Sequence, residues 1–291
     1  IVKVDVSFGV LPFELRLDYF RLDESRILAV ISMGIQNKDL TFVKEMGNQA
    51  AQVAVYGIVS DMTQKVITEF DDDLVKRYPL SDSLSPLQST SVYQKITPLD
   101  AKNRYKLSFV VKDLNTNSIG VIRKAIIPPR LNGETLASSS LILSDSYQPN
   151  IDVPMSDRMF VIGNVWIHPS LNKTFNGQKP IGAFFHIYNI ALDQAALTPL
   201  LQTKYEVFHE GKTVLRLIEH NNESLQHFTD TSAVFLKQLP INRLGPGRYQ
   251  LKISIRDQIK NQTVTLEDTF RISAPRGGTS RDAHTKADYS Q

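Results

Sequence analysis

The chain has 291 residues, 42% of them hydrophobic and 22% charged, which suits a globular protein with room for two cores. Its 33 basic and 30 acidic residues leave a formal net charge of +3, too small a surplus to argue for a nucleic-acid or membrane-surface partner. Cysteine is absent, which excludes disulfides, thiol chemistry and cysteine-ligated metal sites, and no apolar run approaches the ~18 residues of a membrane helix.

In chain order, Ile27–Ile35 (ILAVISMGI) lies between two polar turn clusters and predicts a strand. Gln52–Val59 predicts a second, closed by Ser60-Asp61, and Lys65–Phe70 completes a hairpin with it. Asp72–Arg77 is the best helical candidate, although no segment sustains a 3.6-residue period. Tyr105–Asp113 alternates, with Tyr105, Leu107, Phe109 and Val111 on one face. Ile119–Ile127 returns beside it until Pro128-Pro129 closes the run. The next segment is rich in Pro, Ser and Asn and reads as a connector. Within it Leu141-Ile142-Leu143 is too apolar for a free linker and predicts one extra strand packed on a sandwich. Phe160–His168 predicts the first strand of a second unit. Gly182–Tyr188, Thr203–His209, Val214–Glu219, Phe235–Pro240, Tyr249–Asp257 and Val264–Ile272 follow as further strands. Ala274–Gln291 lacks apolar periodicity. Ordering a backbone costs roughly 1–2 kcal/mol per residue, so this tail is expected to be mobile alone and, where ordered, to be an extended arm lying on a neighbouring chain. There Arg276, Arg281 and Lys286 would make charge-assisted contacts and Tyr289 would be the anchor.

One phrase occurs twice. RYKLSFVVKDLNTN (104–117) and RYQLKISIRDQIKN (248–261) align without a gap, with Arg, Tyr, Leu, Asp and Asn identical at five positions. Each follows a turn that opens with a leucine, Leu99 or Leu244. A leucine, a turn and then Tyr-x-Leu is the pattern of a tyrosine corner, here Tyr105 and Tyr249. The expected fold is all-β: two tandem immunoglobulin/fibronectin-III-like β-sandwiches at 1–130 and 155–273. A connector at 131–154 carries one strand, and the tail arm spans 274–291.

Candidate chemistry is sparse. Six histidines occur, and none has an H-x-x-x-H or H-E-x-x-H spacing. Asp71-Asp72-Asp73 clusters carboxylates but lacks the calcium-loop spacing and reads as a solvated turn or helix start. Asp113 and Asp257 end the repeated strand and read as turn residues accepting backbone N–H bonds. No G-x-S-x-G, P-loop or G-x-G-x-x-G is present. No catalytic residue, metal or cofactor is therefore expected. Trp166, with Tyr147, Phe184 and Tyr188, suggests a sugar- or peptide-binding face, although a half-buried strand explains it more simply.

Seven runs resemble bacterial GWxTD-domain proteins in their C-terminal region: Val4–Arg21, Gln36–Phe42, Ser89–Lys95, Tyr105–Val121, Leu136–Asp145, Phe160–Pro169 and Leu244–Val264. The Gly-Trp-x-Thr-Asp motif itself is absent, since the sole Trp166 precedes Ile167-His168. The resemblance implies export to the bacterial envelope and a longer precursor, and it implies no reaction. The expected function is a structural subunit of a cell-envelope or extracellular assembly. Its partners would be protein subunits, including copies of itself, with no nucleic acid and no membrane span. The alternative is a glycan- or peptide-binding module using the Trp166 region.

Overall fold

The computed structural model describes residues 6–81, 86–129, 131, 133–149, 159–162, 164–220 and 223–274, with backbone alone for 6–9 and 86. Among them there is no α-helix, and none of the short turns is long and apolar enough to cross a membrane. The fold is all-β and is built from several packed sheets.

The first half holds β1 (Val6–Gly9), β2 (Glu14–Arg21), β3 (Arg26–Gln36), β4 (Val43–Glu45), β5 (Asn48–Asp61), β6 (Val66–Pro79), β7 (Thr90–Asp100), β8 (Tyr105–Asp113) and β9 (Ile119–Ile126). One sheet runs β1-β9-β8-β5-β6, with β4 pairing the far end of β5. A second runs β2-β3-β7. Alternate residues of each strand point to opposite faces. Thus Ile27, Ile31, Met33 and Ile35 of β3 meet Val55, Leu107, Phe109 and Val111 in a first core.

The second half adds β10 (Ala137–Ser138), β11 (Ile142–Ser144), β12 (Ser146–Pro149), β13 (Val161–Ile162), β14 (Val165–His168), β15 (Thr174–Phe175), β16 (Ile181–Tyr188), β17 (Leu201–His209), β18 (Lys212–Glu219), β19 (Leu225–Phe228), β20 (Ser232–Leu239), β21 (Gly247–Asp257) and β22 (Gln262–Ile272). One sheet runs β15-β22-β21-β17-β18, and the other runs β10-β16-β20-β19, with β11 also on β16. Phe185, Ile187, Phe235, Val207, Leu251 and Ile253 fill a second core between them. The order β9-β8-β5-β6 recurs as β22-β21-β17-β18, and the pair β3-β7 recurs as β16-β20.

A third core joins the halves. Phe20 and Val30 leave the outer face of β2-β3-β7, while Phe184, Val234 and Leu236 leave the outer face of β16-β20. Ile142 and the inward residues Ile162, Val165 and Ile167 of a small sheet, β12-β14-β13, complete it. Strands β3 and β16 are therefore covered on both faces, which explains their unbroken apolar runs.

Three expectations change. Asp72–Arg77 is strand, because β6 pairs with β5 from Val66 to Pro79. The connector carries three short strands in place of one, since β10, β11 and β12 find open edges on β16 and β14. Phe160–His168 contributes the hairpin β13–β14 of the small sheet, not the first strand of a second sandwich. Arg276, Arg281, Lys286 and Tyr289 lie outside the described residues.

Candidate interaction surfaces

The repeated phrase builds the same joint twice. The Tyr105 hydroxyl donates to the Asp100 carbonyl at 3.1 Å, and the Tyr249 hydroxyl donates to the Gly245 carbonyl at 2.7 Å. Both rings are buried. Asp113 accepts the backbone N–H of Asn115 and of Thr41, tying its turn to the loop after β3. Asp257 accepts those of Ile259, Lys260 and Ala191, tying its turn to the loop after β16. Asn117 and Asn261 sit at matching positions with φ of 62° and 54°, a left-handed conformation that asparagine tolerates. The identical residues of the repeat are thus joints of the framework.

The junction between the halves is specific as well as apolar. The backbone N–H of Arg21 donates to the Tyr188 hydroxyl at 2.9 Å, and its guanidinium lies 4.4 Å over the Tyr188 ring while donating to Asn189 Oδ1. Residues 139 and 140 stitch the two sheets together: Ser139 N–H donates to the His186 carbonyl, and Ser140 N–H donates to the Tyr19 carbonyl. Arg16 forks onto Asp18 and donates to the Leu141 carbonyl at 2.6 Å. His186 sits edge-on to Phe20 and Phe184, with ring centroids 4.9 and 5.2 Å away, and its Nε2 has no hydrogen-bond partner. Burial pulls its pKa down to about 4, so the ring is neutral near pH 7.

Two clefts flank this junction, with Leu171 lining both. The larger, about 820 Å³, is lined by amides such as Gln36, Gln88 and Asn172 together with Glu14, Asp145 and His168. The smaller, about 570 Å³, contains Arg16, Lys124, Lys173, Asp18 and Asp268. There the cations are committed internally: Arg16 to Asp18, Lys173 to Asp268, and Lys124 to the Leu15 carbonyl. Among the described residues no three His, Asp or Glu groups converge as metal ligands.

Trp166 occupies the outward face of β14, half-buried beside Phe160 and His168. Its expected companions lie elsewhere. Phe184 is in the third core, Tyr147 packs against Gly182 and that core, and Tyr188 belongs to the junction. Desolvation lowers the pKa of two histidines, His168 beside Trp166 and His186 at the junction. Asp72 turns inward to accept from the Tyr93 hydroxyl and Lys95, while Asp71 and Asp73 stay exposed.

Among the described residues two long edge strands have one partner each: β6 pairs with β5, and β18 pairs with β17. Both expose apolar side chains: Ile67 is 43% exposed on β6, and Val214 and Ile218 are 43% and 50% exposed on β18. The β6 face also carries Glu69, Asp71 and Asp73, and the β18 face carries Arg216, while a bulge at Val214 pairs Lys212 with His209 on the other face. Acidic residues at every second position are a strand signal available in the sequence. The junction residues Arg21, His186, Tyr188 and Asn189 left no such local mark, because what they meet is distant in the chain.

No protein-family model matches the chain, and no curated protein is significantly similar to it.

Proposed function

We propose that the chain is a non-catalytic structural subunit of a bacterial cell-envelope or extracellular assembly, acting through protein–protein contacts. Its halves are tandem immunoglobulin- or fibronectin-III-like sandwiches. The shared strand order and the paired tyrosine joints support that assignment. The envelope location rests on the GWxTD resemblance of the sequence alone.

The observation that carries the scaffold role is the third core. Linked domains ordinarily keep freedom at their interface. Here Phe20, Val30, Phe184 and Leu236 are buried together, and the connector bonds to both sides. Such a block holds its outer edges at a fixed separation, which is what a spacer or scaffold needs. The test is the mass of the particle isolated from its source under gentle extraction. A mass well above 32.8 kDa is expected, and a free monomer would overturn the proposal.

A second function, binding a glycan or peptide, is favoured by one observation. Trp166 stands half-exposed beside His168, which lines the larger cleft. Since Trp166 is the sole tryptophan, its fluorescence reports directly. A saturable shift on titration with neutral oligosaccharides or extended peptides would establish this function, and a flat response would remove it.

A further inference from the structure

We propose that the outward face of β12 and β14 and the larger cleft form one elongated site for an uncharged glycan chain. This rests on the second function above and deepens it, by fixing the class of ligand and the extent of the site. Strand β14 sends Val165 and Ile167 into the third core, so Trp166 and His168 share its opposite face. The ladder with β12 sets Gln148 opposite Trp166 and Ser146 opposite His168, and residues directly opposite share a face. Phe160 stands edge-on to the indole, with ring centroids 6.1 Å apart, and braces it. An aromatic platform with an amide beside it thus leads to His168 and Asp145, and both of these line the cleft of about 820 Å³.

The chemistry of the lining selects the ligand. Among the described residues that line the cleft none is lysine or arginine, whereas Glu14 and Asp145 repel anions. His168 is neutral near pH 7, since burial lowers its pKa. Most of the remaining polar lining is amide or hydroxyl, including Gln36, Thr90, Asn172, Asn176, Gln178 and Ser273. Such groups donate and accept, as every sugar hydroxyl does, and the two carboxylates accept. Two of the amides are held in place: Oδ1 of Asn172 accepts the Thr174 N–H at 3.0 Å, and Oδ1 of Asn176 accepts the Gln178 N–H at 3.0 Å. The apolar C–H face of a sugar ring packs on an indole, which gives Trp166 its part.

A peptide is matched less well. Extended peptides are commonly held by adding a strand to an open sheet edge. At Trp166 strand β14 is paired on both flanks, to β12 and to β13, so recognition there falls to side chains.

Fluorescence of the sole tryptophan in the full chain tests this. The neutral probes are maltohexaose, cellohexaose and chitohexaose, set against a galacturonic acid hexamer and an extended hexapeptide. A saturable shift is expected with a neutral hexasaccharide and with neither of the other two. Gln148→Ala and Gln178→Ala alter exposed side chains, one beside Trp166 and one in the cleft. Each should weaken the neutral hexasaccharide by roughly 3- to 10-fold, the effect of about one lost hydrogen bond. Binding that ignores either substitution overturns the elongated site, and a preference for the galacturonic acid hexamer overturns the uncharged ligand. A shift with the hexapeptide alone sinks the glycan and leaves the second function standing, whereas a flat response to every probe removes both.

Discussion

Tyr105 and Tyr249 each hold a backbone carbonyl of the preceding turn, so Phe at either position leaves that acceptor without its donor. Tyr105→Phe and Tyr249→Phe should each cost about 1 kcal/mol of unfolding free energy, and the double variant about twice that, since the sites share no partner. Chemical denaturation measures all three. His186 makes a different prediction. Its folded pKa of about 4 lies below the ordinary histidine value near 6.5, so the unfolded chain takes up the proton first as pH falls. Stability is whole above the unfolded value and declines toward pH 4, by at most about 1.4 kcal/mol per unit. His186→Phe, which keeps a ring among Phe20, Phe184 and Tyr188, should flatten that slope in melts run from pH 7 to pH 4.

At the level of strands, the connector decides most. Ile142 and Leu143 are fully buried, Ile142 in the third core and Leu143 in the second, and Leu141 is nearly so. Replacing all three with Ser should cost well over ~3 kcal/mol and lower the melting temperature, because each exchange removes buried carbon and adds a hydroxyl. An unchanged melt would mean that the segment only tethers. Much of this was legible: the LIL run announced burial, and the alternation of Tyr105–Asp113 announced a strand with one face inside. Asp72–Arg77 misled because charged residues read locally as a helix start. What makes that segment a strand is its ladder with β5. Nor could Phe160–His168 be assigned correctly by pattern, since its partner β12 comes from the connector.

For the molecule as a whole, the third core predicts cooperativity. The two halves should unfold in a single calorimetric transition, as one domain does. Phe184→Ala removes a ring from the middle of that core and should cost roughly 3–5 kcal/mol, separating the melt into two steps. Two transitions in the parent chain would show that the junction contributes little. Two units were visible in the repeated phrase, whereas their union was not. Val30 and Phe184 lie on faces that a lone sandwich would turn to water, and a run such as ILAVISMGI looks the same whether one side or both is covered.

That double coverage of β16 bears on how the chain finds its native pairing. A strand with one wet face cannot slip by one residue without drowning its apolar set, and this penalty ordinarily enforces alignment. In β16 the neighbours Phe184 and Phe185 enter different cores, so exchanging them offends neither. Alignment falls instead to residues that tolerate one place only. Gly182 lies against the Tyr147 ring, where its neighbour Ala183 would bring a Cβ within 2.7 Å. Asn189, with φ of 61°, accepts from Arg21 and donates to the Thr135 carbonyl. These two polar or bare positions proofread the strand, and the hydrophobic residues between them only fill it.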